Sequence, residues 1–345
     1  MSNKNLLSGR DKELQELAEQ YEAAMAGNKP FYQDADELAD LADWYGTKKR
    51  YDKAFEIAEY GLKLHPDSTE LMIEYAYLHL DNGKKAKARE IIENLPDTYS
   101  PEAKVVRAHL LLSEGKLDDA EQLLDTIEDK DDLANVVDVS YMYLDMGYPD
   151  KALAWLDPVK EEYSNEEAYI AVVADCLYGK GMTEEAIPLY NRLIDMNPYS
   201  APYWFGLARC HFEEMNFNQA IDACDYALVS DDEFADAYVM KGHCFYQLGN
   251  EDAALEYYQK AEELHGLAPE FIYTYIGLCK VSKGEWKEGY ENLEKAILEN
   301  ETDEVASPIL PSLYANAGLC LSKMGKKRKA HQYCNCLLYT SPSPR

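Results

Sequence analysis

Two columns of small residues run along this chain at a fixed spacing, and they limit what it can fold into more than any other feature. The first column reads Ala42, Ala76, Ala108, Ser140, Ala174, Ala208, Gly242, Gly277 and Gly318. The second reads Ala54, Ala88, Ala120, Ala152, Ala186, Ala220, Ala254, Gly289 and Ala330, each 12 residues after its partner in the first. Successive members of the first column are 34, 32, 32, 34, 34, 34, 35 and 41 residues apart. Small residues recurring at such a period mark a stack of two-helix units, because a short side chain where two helices cross lets their backbones approach. One unit cannot bury its own apolar face, so stability comes from stacking neighbours. Between the columns lies a helix stop, Gly83, Gly115, Gly147, Gly181, Gly249, Gly284 and Gly325, where glycine takes the left-handed conformation at little cost. Lys49 and Met215 stand in its place in the first and sixth units, which predicts less ideal turns there. Pro66 and Pro198 punctuate the exits of second helices.

The residues around the columns carry a resemblance. Trp204, Leu207, Ala208, Ala220 and Cys224 in the sixth unit, and Tyr238, Gly242, Phe245, Ala254 and Tyr258 in the seventh, follow the order W-x2-L-G-x2-Y then A-x3-F. The first unit has Leu38, Leu41, Ala42, Tyr45, Ala54 and Pro66, and the fifth has Ala174, Leu177, Ala186, Tyr190 and Pro198. This resembles the tetratricopeptide repeat over about residues 35 to 335. The third unit departs most, with Lys104 and Arg107 at positions where apolar residues are expected, although Ala108, Leu111, Ala120 and Leu124 keep its register. The resemblance implies an all-α fold, an α-α superhelical solenoid of about nine helix-turn-helix repeats.

Three segments frame the array. Residues 1–34 read as an N-terminal capping helix, opened by Ser8-Gly9-Arg10-Asp11, which resembles a capping box, and carrying Leu14, Leu17, Ala18, Tyr21 and Met25 on one side. The 41-residue step holds an insertion near residues 299–303, read as a longer connecting loop ahead of Pro308 and Pro311. Residues 336–345, ending Ser341-Pro342-Ser343-Pro344-Arg345, resemble a translated sequencing-library adapter. That resemblance implies a non-native tail and a last repeat cut short. Pro342 and Pro344 would break its second helix soon after the middle.

Composition narrows the function. With 34 Lys and Arg against 64 Asp and Glu, the formal net charge is −30. A phosphate backbone or an anionic membrane surface needs a basic footprint that this balance does not supply. Neither a signal-peptide core nor a membrane-length apolar run occurs in the sequence, so the chain reads as cytoplasmic with its eight cysteines reduced. Cys176, Cys210, Cys244, Cys279 and Cys320 share one repeat position. Equivalent residues of stacked helices sit roughly 8–10 Å apart, too far for disulfides, so they read as core. No helical His pair, phosphate loop or nucleophile elbow is present in the sequence, and catalysis, cofactor and metal are all excluded from the reading.

What remains is binding. In the repeat family the first helices line a concave groove through positions 2, 5, 9, 12 and 13. Carried over, those positions give Asp36, Asp43, Glu70, Tyr77, His109, Tyr141, Asp145, Asp175 and Tyr178, then Phe205, Arg209, Phe212, His243, Tyr246 and Tyr275. This is an acidic and aromatic surface suited to a protein or peptide with basic and apolar residues. Members of the family that hold chaperone tails use Lys and Asn at positions 5 and 9. Here these read Ala39/Asp43, Ile73/Tyr77, Val105/His109, Val137/Tyr141, Ala171/Asp175, Phe205/Arg209 and Val239/His243, so that clamp is missing. The expectation is a non-enzymatic scaffold or adaptor. The alternative is the regulatory or sensor region of a larger protein whose effector domain lies beyond the cut.

Overall fold

The computed structural model describes residues 11–27, 29–264, 267–300 and 309–340, and all regular structure among them is helical. Two compact units emerge, Met1–Pro198 and Tyr199–Arg345. In the N-terminal unit, α1 (Asp11–Ala26) precedes five helix pairs. These are α2 (Ala35–Thr47) with α3 (Tyr51–Leu64), α4 (Thr69–Asp81) with α5 (Lys85–Glu93), and α6 (Pro101–Ser113) with α7 (Leu117–Leu124). Then come α8 (Leu133–Asp145) with α9 (Pro149–Leu156), followed by a 3-10 turn and the short α10 (Lys160–Tyr163), and α11 (Glu167–Gly179) with α12 (Thr183–Met196). The C-terminal unit holds α13 (Ala201–Glu213) with α14 (Phe217–Ser230), α15 (Ala235–Gln247) with α16 (Glu251–Glu263), α17 (Pro269–Ser282) with α18 (Trp286–Asn300), and α19 (Leu310–Lys323) with α20 (Lys327–Thr340).

Helix starts are set locally. The side chains of Asp34, Ser68, Ser100 and Asp132 accept the backbone N–H three residues on, capping α2, α4, α6 and α8. Both columns then fall where the paired helices cross, the first on the first helices and the second on the second helices, and every member is buried. Ser140 keeps its hydroxyl satisfied there by donating to the carbonyl of Ala152, its partner in the second column, at 3.3 Å. Ahead of the first pair, α1 sends Leu14, Ala18 and Tyr21 into a core with Phe31, Leu38, Leu41 and Tyr45. The capping-box residues 8–10, residues 301–303 of the insertion and the tail residues 341–345 lie outside the described residues, as do the side chains of 335–340, whereas Glu299 and Asn300, read as loop, close α18.

The two 32-residue steps span the short second helices α5 and α7, whereas the 3-10 turn and α10 that follow the equally short α9 keep its step at 34 residues. α5, α7 and α9 have only 9, 8 and 8 residues, against 14 in α3, α12 and α14. Shortened helices leave carbonyls to be satisfied, and the two cations that break the apolar pattern of the third repeat meet them. Arg107 donates to the carbonyls of Ile92 and Thr98 at 3.4 and 3.3 Å. Lys104 donates to the carbonyl of Thr126 at 2.9 Å.

All seven stop glycines have positive φ, and so do Lys49 at 59° and Met215 at 58°. A side chain in that conformation costs about 1 kcal/mol. Met215 is 75% exposed and contributes little packing. Met215→Gly is therefore expected to stabilise the C-terminal unit by about 0.5–1 kcal/mol, read as a rise in the urea midpoint; a fall would contradict the strain. The cysteines Cys176, Cys210, Cys224, Cys244, Cys279 and Cys320 are buried and unbridged. Burial pushes the thiols of Cys176, Cys244 and Cys279 up to about 12, which makes them packing groups rather than nucleophiles.

Candidate functional site

The first helices of the N-terminal unit bring their groove positions to one cavity of about 400 Å³. Its apolar lining is Ala39, Ile73, Val105 and Met142, with the rings of Tyr77 and Tyr141. Three of those four aliphatic residues hold the fifth position of successive repeats, where the sequence offers no lysine. Around them stand nine carboxylates, Asp36, Asp40, Asp43, Glu70, Glu74, Asp97, Glu102, Asp138 and Asp145, and neither lysine nor arginine lines the cavity among the described residues. His109 also lines the cavity, packed 5.6 Å from the Tyr77 ring. Burial pushes its imidazole down to about 4, so it is neutral at pH 7 and adds no positive charge to the lining.

Two of the carboxylates are deep. Asp43 is 3% exposed and Glu74 is 6% exposed, which is rare for acidic side chains. Glu74 Oε1 has no hydrogen-bond partner among the described residues. Burial first, and the Asp43 carboxylate second, raise the Glu74 carboxyl well above the usual range. A buried carboxylate without a compensating bond opposes folding.

Of the groove residues expected from the sequence, Asp36, Asp43, Glu70, Tyr77, His109, Tyr141 and Asp145 line this cavity. Asp36 and Glu70 are exposed, whereas Tyr77, His109 and Tyr141 are buried. Asp175 and Tyr178 do not line it. Asp175 instead accepts from the hydroxyls of Tyr190 at 2.6 Å and Tyr141 at 3.3 Å, joining neighbouring repeats within the unit. Asp40, Glu74 and Asp138 escaped the position rule. Each sits two residues before the small column, at 42, 76 and 140, so an acidic sixth position in three of the first four repeats was the signal to read.

The C-terminal unit presents rings instead. Phe212 packs against Phe217 at 5.5 Å and His243 at 6.3 Å. His243 Nδ1 and Tyr258 Oη share a hydrogen bond of 2.7 Å, and Tyr275 lies 4.5 Å from His243 and 5.1 Å from Tyr258. Burial pushes His243 down to about 4, leaving it neutral. Phe205 meets Phe234 at 5.3 Å, with the Arg209 guanidinium 5.6 Å from the Phe205 ring. Phe205, Arg209, Phe212, His243, Tyr246 and Tyr275 are each half-buried, so part of every side chain is committed to packing. No group of three or more His, Cys, Asp or Glu among the described residues could hold a metal ion. Nor is any described helix long and apolar enough to cross a membrane.

Comparison with known proteins gives a consistent picture. A tetratricopeptide-repeat model matches residues 47–100, and a model for the anaphase-promoting complex, cyclosome, subunit 3 matches residues 179–261. A TPR repeat-containing protein of Bacillus subtilis (strain 168), YpiA, is 28% identical over 142 residues, which is 39% of this chain and 33% of that protein. The chain thus matches about a third of the length of this relative. Among solved structures, the APC/C hetero-tetramer Cut9-Hcn1 is similar with a TM-score of 0.52 and 19% identity, over 96% of this chain and 74% of that one. The human IFIT1 dimer with PPP-AAAA reaches 0.52 at 15% identity, over 96% and 87%. A repeat protein from Parabacteroides merdae ATCC 43184 reaches 0.50 at 18%, over 71% and 98%.

Proposed function

Since this chain is a tetratricopeptide-repeat protein, and such repeats are protein-interaction modules, we propose that it is a non-catalytic cytoplasmic scaffold that binds a protein or peptide on the first-helix faces of its repeats. The observation that carries the proposal is the amphipathic cavity of the N-terminal unit. Carboxylates from four successive first helices surround an aliphatic and tyrosine lining, a combination that suits a segment bearing basic and apolar side chains together. The exposed parts of Phe205, Phe212, Tyr246 and Tyr275 supply aromatic contacts in the C-terminal unit. Nucleic-acid binding is not carried over from the human structure solved with PPP-AAAA, because a chain of net charge −30 repels a phosphate backbone.

The proposal separates the two kinds of contact kinetically. Charge sets encounter rate and salt sensitivity, while aromatic anchors set residence time. For peptides selected on an array, Phe212→Ala is expected to speed dissociation with little change in association, a loss of about 1–2 kcal/mol. Asp36→Lys, at an exposed position, is expected to slow association at low salt and to lose that effect at high salt. Surface-immobilised chain and two ionic strengths suffice. Indifference to both substitutions would remove the first-helix faces from the binding site.

A further inference from the structure

We propose that the acidic cavity of the N-terminal unit takes the side chain of a lysine or arginine presented by a protein partner, with Glu74 as its buried counter-ion. The inference rests on the peptide-binding reading above and narrows it to one residue type at one place. Three observations meet there. The first is composition, since among the described residues nine carboxylates and no lysine or arginine line the space, and its histidine is neutral at pH 7. The second is Glu74, more than nine-tenths buried, with Oε1 unpartnered among the described residues and on the cavity wall. The third is the apolar lining of Ala39, Ile73, Val105 and Met142 between those carboxylates.

These requirements select the occupant. A bare cation does not fit, because no three acidic or ligating groups among the described residues converge as a metal site would require. A cavity of about 400 Å³ is on the scale of an organic ligand, not of an ion. A lysine or arginine side chain matches both surfaces, burying its methylene stem on the aliphatic lining while its head meets carboxylate. Tyr77 and Tyr141 add aromatic rings to the lining, and aromatic rings attract cations. A partner's acidic side chain would add negative charge beside Glu74 and is rejected for that reason, while a neutral polar one could hydrogen-bond Glu74 without neutralising it. Specificity of this kind comes from what the site leaves unpaired when the wrong residue enters.

The test uses the full chain and an array of nonapeptides whose centre is lysine, arginine or norleucine, the last keeping the stem and losing the charge. Binders are expected to need the basic centre, with a loss of at least tenfold on change to norleucine. Glu74→Gln should weaken the lysine and arginine peptides by a similar factor and leave the norleucine peptides unchanged. Asp138→Asn, on the same wall, should act in the same direction more weakly, and both variants are checked for an unaltered helical spectrum. Norleucine peptides that bind as well as lysine peptides would overturn the cation pocket while leaving the scaffold reading standing. Spermidine binding as tightly as the best peptide, with the same dependence on Glu74, would also overturn it, because the site would then belong to a free polyamine. Failure of every peptide at millimolar concentration would overturn both.

Discussion

Gly242→Leu is expected to destabilise the C-terminal unit by about 3 kcal/mol. A Cβ placed on Gly242 would lie 2.5 Å from Cε1 and 2.7 Å from Cδ1 of Tyr258. That ring cannot step aside. It is almost fully buried, stacks on Tyr275 at 5.1 Å and shares its hydroxyl with His243 at 2.7 Å. Even an alanine must move it, and the remaining atoms of leucine have no space at the crossing of α15 and α16. In a repeat protein the loss is felt chiefly at the affected repeat and its neighbours, so the urea transition should broaden as well as move. Combining Gly242→Leu with Tyr258→Ala, which removes the obstructing ring, should cost less than the two single changes added together. An unmoved transition in the single variant, or strict additivity in the double, would show that the crossing tolerates bulk and that the small columns do not set the helix spacing.

This crossing was legible before any coordinates. The fixed offset between the columns places Gly242 against α16, and close approach is the reason the position is small. The shortening of α5 and α7 was less legible, since a 32-residue step says that two residues are missing but not from which helix, and that of α9, in a 34-residue step, leaves no trace in the spacing. Lys104 and Arg107 looked like departures from pattern because their partners, the carbonyls of Thr126, Ile92 and Thr98, exist only once those helices end early. The position rule names Asp36, Tyr77, His109 and Tyr141, all of which line the cavity of the N-terminal unit. The same rule passed over Glu74, because a carboxylate beside the small column looks like an ordinary helix-surface charge until the neighbouring first helices close over it.

Glu74→Leu is expected to stabilise the N-terminal unit by about 2 kcal/mol. The substitution removes a buried carboxyl that faces Asp43 and adds apolar surface beside Ile73 and Val105. The pH dependence has a defined sign. The folded-state pKa of Glu74 is raised, so the folded chain holds this proton more tightly than the unfolded chain does. The group's contribution is most favourable below the unfolded carboxyl pKa and is lost as pH rises through the folded value. The gap between wild type and Glu74→Leu should therefore widen from mild acid toward alkaline pH, and the gap to Glu74→Gln should widen by the same amount from a smaller starting offset. Thermal midpoints at several pH values read this directly. A loss of stability in Glu74→Leu, or a gap that narrows with rising pH, would mean that the carboxylate is held by the fold itself and is not a site residue carried at a cost in stability.

The most direct measurement is hydrogen exchange of the full chain with and without a saturating basic peptide from the array. Slowed exchange is expected in the first helices of the N-terminal unit, across residues 36–43, 70–77, 102–109 and 138–145, with the second helices of the same repeats little changed. Protection confined to α3, α5, α7 and α9, or spread without regard to helix, would place the binding surface elsewhere and contradict this expectation.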